Sequence, residues 1–124
     1  MTYKAETQKI ITSVIQKLDA GKAEKIVKLD VRKLSSITDV MIIATGTSTR
    51  HVMALAHHLA VDLKKERIIP LNDVHQGDGN WTLVDLGSVL VHLFTAETRL
   101  KYDLENLWRP LKSTRTRKVP QKSA

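Results

Sequence analysis

The sequence predicts an α/β domain: a mixed sheet of about five strands with helices mainly on one face. Three observations carry that expectation. Two long segments repeat apolar residues at three- and four-residue steps, the mark of a helix with one buried stripe. Several short runs are apolar and β-branched, as strands are. Between Val40 and Lys65 a strand, a glycine turn and a helix follow one another, a step typical of an α/β layer.

Thr7 to Ala20 reads as the first helix, with Ile10, Ile11, Val14, Ile15 and Leu18 on one stripe and Gly21 as its stop. Val27, Leu29 and Val31 then alternate with Lys28, Asp30 and Arg32, a period of two that predicts a half-buried or edge strand. Val40 to Ala44 is continuously apolar, as in a central strand covered on both faces. A helix follows from about Thr49 to Lys65, its stripe being Val52, Leu55, Ala56, Leu59 and Leu63, with Ser48 or Thr47 as its cap.

Ile68 and Ile69, with Leu71 and Val74 beyond Pro70, predict a short strand near an edge. Gln76 to Asn80 is rich in turn residues. Trp81–Leu86 and Val89–Phe94 predict a hairpin across Gly87-Ser88, whose leading glycine suits a type II′ turn. Ala96 to Trp108 reads as one helix or two short ones, with Leu100, Leu104 and Leu107 spaced for burial and Pro110 as the stop.

Length and composition bound the function. At 124 residues the chain suits one domain. With no cysteine, disulfide scaffolds, thiolate zinc sites and cysteine nucleophiles are excluded. No apolar run approaches the ~20 residues that span a bilayer. The polar N-terminus does not resemble a secretory signal, so the expected compartment is the cytoplasm. The net charge of +7 is concentrated at one end: residues 109–124 hold six cations and no acid, while the rest carries 14 basic and 13 acidic side chains. The expectation is therefore a domain over residues 1–108 and a basic, disordered tail over 109–124. Such a tail attracts polyanions without selectivity, or serves only solubility.

The hairpin is the most informative segment. Its register puts Thr82, Val84, Leu86, Val89, Val91 and Leu93 on one aliphatic face, which should meet the helices. The other face holds Trp81, Leu83, Asp85, Leu90, His92 and Phe94. A deeply buried face seldom carries an unpaired Asp, and a solvated one seldom carries Trp, Phe and two Leu. That mixture suits a face open in the monomer and covered in a complex. The alternative is that the last helix folds over it.

Catalysis finds little support. The Thr45-Gly46-Thr47-Ser48 turn could cradle a phosphate at a helix start, but it lacks the Walker lysine and the spaced glycines of a dinucleotide site. A capped helix after a tight turn explains it as well. No two histidines lie four apart on a helix, so no zinc face forms, and most histidines read as surface or hairpin positions. A nucleotidyltransferase needs two carboxylates one residue apart on a strand to hold its metals. Asp103 and Glu105 have that spacing but sit in the terminal helical region.

Five blocks then occur in order: Ser35-Ser36-Ile37-Thr38-Asp39, Ala44 to Val52 (ATGTSTRHV), Trp81 to Gly87 (WTLVDLG), Val91-His92-Leu93-Phe94 and Tyr102 to Trp108 (YDLENLW). Together they resemble the ribosomal silencing factor (RsfS, or Iojap) family from about Thr7 to Trp108. The resemblance implies a non-enzymatic translation repressor without cofactor. It implies binding to the large ribosomal subunit through its protein number fourteen at the intersubunit face, which blocks joining of the small subunit when nutrients are scarce. It further implies a nucleotidyltransferase-like core without catalytic acids, and a homodimer when free. The family's W-x-x-x-D tryptophan falls on Trp81 and the tyrosine before its last block on Tyr102, both implied partner contacts; Leu83 and Asp85 share the Trp81 face. Asp85 and Glu105 would pair with cations of a basic protein. Trp108 is expected to be a structural anchor. Val40-Met41 departs from the aromatic residues of many members, and the tail lies outside the resemblance, although it is a candidate contact for ribosomal RNA. Two other classes remain: a phosphate- or nucleotide-binding enzyme using Gly46 to Ser48, and a general RNA-binding module. The latter is weakened by an aromatic content of 4%.

Overall fold

The computed structural model describes residues 3–107. Helix α1 spans Ala5–Ala20, strand β1 Glu24–Asp30, β2 Val40–Gly46 and helix α2 Thr49–Lys65. A single 3₁₀ turn covers Val74–Gln76, followed by β3 (Trp81–Asp85), β4 (Val89–Thr95), α3 (Ala96–Tyr102) and α4 (Leu104–Leu107). The strands form one sheet in the order β1-β2-β4-β3. β2 and β4 run parallel, joined through α2, whereas the outer pairs are antiparallel. The sheet is therefore mixed, as expected, but among the described residues it has four strands rather than five.

One core accounts for the layering. Ile10, Ile11, Val14 and Leu18 of α1 and Val52, Leu55, Ala56, Leu59 and Leu63 of α2 are buried against Val40, Ile42, Ala44, Val84, Val89, Val91 and Leu93. Both helical stripes face the aliphatic side of the sheet. All seven residues of β2 are buried, as an apolar central strand should be. The first helix ends at Ala20, where the glycine predicts, although the glycine does not make the turn. Gly21 keeps an ordinary φ of −82°, and Lys22 takes the left-handed turn. Gly21 serves packing instead, since a Cβ there would lie 2.8 Å from Leu55 Cδ2.

The missing fifth strand has a physical cause. The segment after Pro70 does lie along the outer edge of β3, where the Leu71 N–H donates to the Asp85 carbonyl at 2.7 Å, but it forms no regular ladder among the described residues. The Asn72 side chain makes the next two bonds. Its amide donates to the Leu83 carbonyl at 2.8 Å, and its oxygen accepts the Asp85 N–H at 2.9 Å. A side chain thus stands in for a strand and closes an edge that would otherwise invite pairing with another chain. Asn72→Ala should orphan both groups and lower stability by about 1–3 kcal/mol in urea unfolding.

The terminal leucines also depart from expectation. Ala96–Leu107 breaks into two short helices at Asp103, which adopts φ 47°, so the three leucines never share one buried stripe. Leu100 and Leu107 are exposed and Leu104 is half-buried. Trp108, Pro110 and the basic tail lie outside the described residues.

Candidate partner-binding face

The hairpin closes in the expected register. Trp81 pairs with Phe94, Leu83 with His92 and Asp85 with Leu90, and these alternate with Thr82–Leu93 and Val84–Val91. Gly87 takes φ 82°, as the first position of a type II′ turn requires. With the second set turned to α1 and α2, the first set shares the opposite face. β2 adds Met41 and Ile43 to that face through its parallel pairing with β4.

That face is graded rather than open throughout. Met41, Ile43, His92 and Phe94 are buried at its centre, while Trp81, Leu83, Asp85 and Leu90 are half-buried around them. The last helices do not lie across it as one lid. Instead α3 leaves the end of β4 and brings Tyr102, 49% exposed, against Trp81. The two rings are 4.9 Å apart at 44°, and Trp81 meets Phe94 at 4.9 Å and 39° on its other flank. Trp81 and Tyr102, far apart in sequence, thus form one tilted aromatic surface.

Beneath it the Trp81 indole N–H donates to His92 Nδ1 at 3.0 Å. Burial holds the His92 imidazole down at a pKa of about 4, so the ring is neutral and able to accept. Its Nε2 is buried and meets no acceptor among the described residues. His92 reads in sequence as a hairpin position; that it supports the tryptophan is visible only once the register is known.

The two carboxylates differ. Asp85 Oδ1 accepts the Gly87 N–H at 2.9 Å, which braces the turn beside the face. Glu105, expected to pair with cations of a partner, is engaged within the chain. Its Oε1 accepts Arg99 Nε at 2.8 Å, and the same guanidinium donates to the Lys25 carbonyl and to Thr45 Oγ1, each at 2.8 Å. Arg99, which no motif in the sequence singles out, therefore ties α3 and α4 to the ends of β1 and β2. Asp103, the other member of the spaced carboxylate pair, accepts the Asn106 amide at 2.6 Å. Both acids of that pair thus have structural partners.

The glycine turn is occupied by its own helix. Ser48 Oγ caps α2 by accepting the His51 N–H at 3.0 Å. The Thr47 N–H, which a phosphate would use, donates to His51 Nδ1 at 2.9 Å. That bond leaves the proton on His51 Nε2, 2.9 Å from the Gly21 carbonyl, and so links the turn to the end of α1. Gly46 is needed for clearance: a Cβ there would lie 2.7 Å from Val52 Cγ2 and 2.9 Å from the Val52 backbone nitrogen. Because the backbone cannot yield, Gly46→Ala should lower the thermal midpoint, at a cost of roughly 1–3 kcal/mol.

Among the described residues, no helix is long and apolar enough to cross a membrane, and no group of three or more acids or histidines is placed to hold a metal ion.

Comparison with known proteins agrees with the five sequence blocks. The model of the family described as "Ribosomal silencing factor during starvation" (RsfS) matches residues 4–124. A ribosomal silencing factor of Haemophilus influenzae is 40% identical over 99 residues, covering 80% of this chain and 97% of that protein. The crystal structure of protein CV0518 from Chromobacterium violaceum superposes with a TM-score of 0.77 at 40% identity, covering 82% of this chain and 84% of that one. A mouse protein named for mitochondrial assembly of the ribosomal large subunit is 37% identical over 101 residues, covering 79% of this chain and 44% of its own length. The chain belongs to the ribosomal silencing factor family.

Proposed function

We propose that this protein binds the large ribosomal subunit through the Trp81–Tyr102 face and, from there, sterically prevents the small subunit from joining. The partner on the subunit is its protein number fourteen, at the intersubunit surface, and the outcome is lower translation when nutrients are limiting. The observation that carries this reading is the aromatic pair itself: Trp81 half-buried between Phe94 and a half-exposed Tyr102, on the face away from α1 and α2. Large aromatic side chains at the centre of an apolar patch are the usual anchors of protein interfaces. Leu83 adds apolar area beside them, and Asp85 supplies a carboxylate that favours a basic protein over surrounding RNA.

The same reading extends to a free homodimer that uses this face and competes with the ribosome for it, a cytoplasmic location, and a nucleotidyltransferase-like sheet without catalytic acids. Residues 1–108 act as the binding domain, and the six cations of 109–124 contact ribosomal RNA nearby. Removing the tail should then flatten the salt dependence of binding.

Co-pelleting with purified subunits tests the reading. The protein should sediment with large subunits and not with small ones. Equal retention on both, or on unrelated RNA, would replace it with a general RNA-binding role.

A further inference from the structure

The polar ring under the anchor is an uneconomical choice for a buried site. A phenylalanine or leucine at position 92 would fill the space beside Leu83 and Phe94 without any polar atom. His92 instead leaves a buried Nε2 without an acceptor among the described residues, a desolvation cost with no local return. What the imidazole offers is its other nitrogen, 3.0 Å from the Trp81 indole nitrogen. The ring also lies 6.0 Å from Phe94 and nearly parallel to it, at 9°, which limits how far it can turn.

The geometry points to His92 as a positioning residue of the partner site: by accepting the indole N–H it fixes the orientation of Trp81, so that the tryptophan meets its partner as a preset apolar surface. The inference rests on the proposed use of Trp81 as the anchor. It adds two commitments. The neutral ring must carry its proton on Nε2, because Nδ1 accepts. And the indole N–H, already satisfied inside the protein, contributes no hydrogen bond to the partner, which meets Trp81 through its ring surface alone. Preorganisation of this kind strengthens binding by lowering the ordering cost on contact.

The test has two arms. In the free protein, nitrogen NMR of His92 should report the Nε2–H tautomer. The Trp81 indole proton, identified by its loss in Trp81→Phe, should exchange slowly with water. In His92→Phe that proton should shift and exchange faster. On large subunits, His92→Phe should weaken binding roughly tenfold, a loss of about 1.4 kcal/mol. His92→Gln, which retains an acceptor, should recover part of that loss. In a Trp81→Phe background, His92→Phe should have little further effect, because residues acting through one another are not additive. An Nδ1–H tautomer, a freely exchanging indole in wild type, or additive effects in the double variant would overturn the assignment. Should His92→Phe fail to fold, the tautomer and exchange readings on wild type still decide it. If wild type does not bind large subunits at all, the proposed function fails, while the free-protein arm still decides the His92–Trp81 bond.

Discussion

Trp81→Ala is expected to weaken binding to the large ribosomal subunit by roughly thirtyfold or more, the factor that corresponds to a loss of about 2 kcal/mol at an interface hot spot. The size follows from position and chemistry. A tryptophan can bury on the order of 200 Å², and this one is flanked by Phe94 on one side and Tyr102 on the other, so its loss leaves a gap at the middle of the patch rather than at its rim. Truncation also removes the donor paired with His92. Titration of labelled protein with large subunits reads the effect, and a thermal melt of the variant separates it from unfolding. Leu83→Ala, at the side of the ring cluster, should cost less. Equal affinities for wild type and Trp81→Ala would remove Trp81 as the anchor.

The second large effect is a loss of stability in mild acid through His92. Its folded pKa is about 4, against 6.5 for an unhindered imidazole. Between those values the unfolded chain binds a proton that the folded protein refuses, so the unfolded state gains as pH falls. Above about pH 6.5 the group contributes nothing to the pH dependence. From there to about pH 4 stability should decline by up to roughly 3 kcal/mol, and lower still the contribution is constant. The difference between wild type and His92→Phe in urea midpoints, followed from pH 7 to 4, isolates this contribution from the other histidines. A difference independent of pH would mean that position 92 is not held neutral by burial. Asp30 acts in a separate window. Its bond to Arg32 holds it at about 2, below the ordinary 3.8, so the stability it lends is lost only as pH falls from about 4 toward 2.

Most of this molecule could be read from its sequence, and the failures share a cause. The two amphipathic helices follow from periodicity, the hairpin register from the Gly87-Ser88 loop and the buried β2 from its unbroken apolar run, and all three signals are local. The separation of an aliphatic face from the Trp81 face follows from that register. The fifth strand failed because Asn72 satisfies β3 with a side chain, which hydrophobic pattern cannot register. The leucine stripe failed because Asp103 takes a left-handed turn between Leu100 and Leu104. Glu105 looked available because its partner, Arg99, lies six residues away across that break and is itself fixed by Thr45 and a carbonyl of β1. His92 was visible as a residue of the mixed face. Its bond to Trp81 depends on side-chain direction, which the residue order alone does not give.

Subunit joining is best measured by sucrose-gradient sedimentation. Large subunits are incubated with wild-type or Trp81→Ala protein before small subunits are added. Wild type should sediment with large subunits and deplete the joined ribosome, while Trp81→Ala should do neither. Undiminished joining in the presence of saturating, bound wild type would contradict steric blocking. Equal depletion by Trp81→Ala would contradict the face assigned to it.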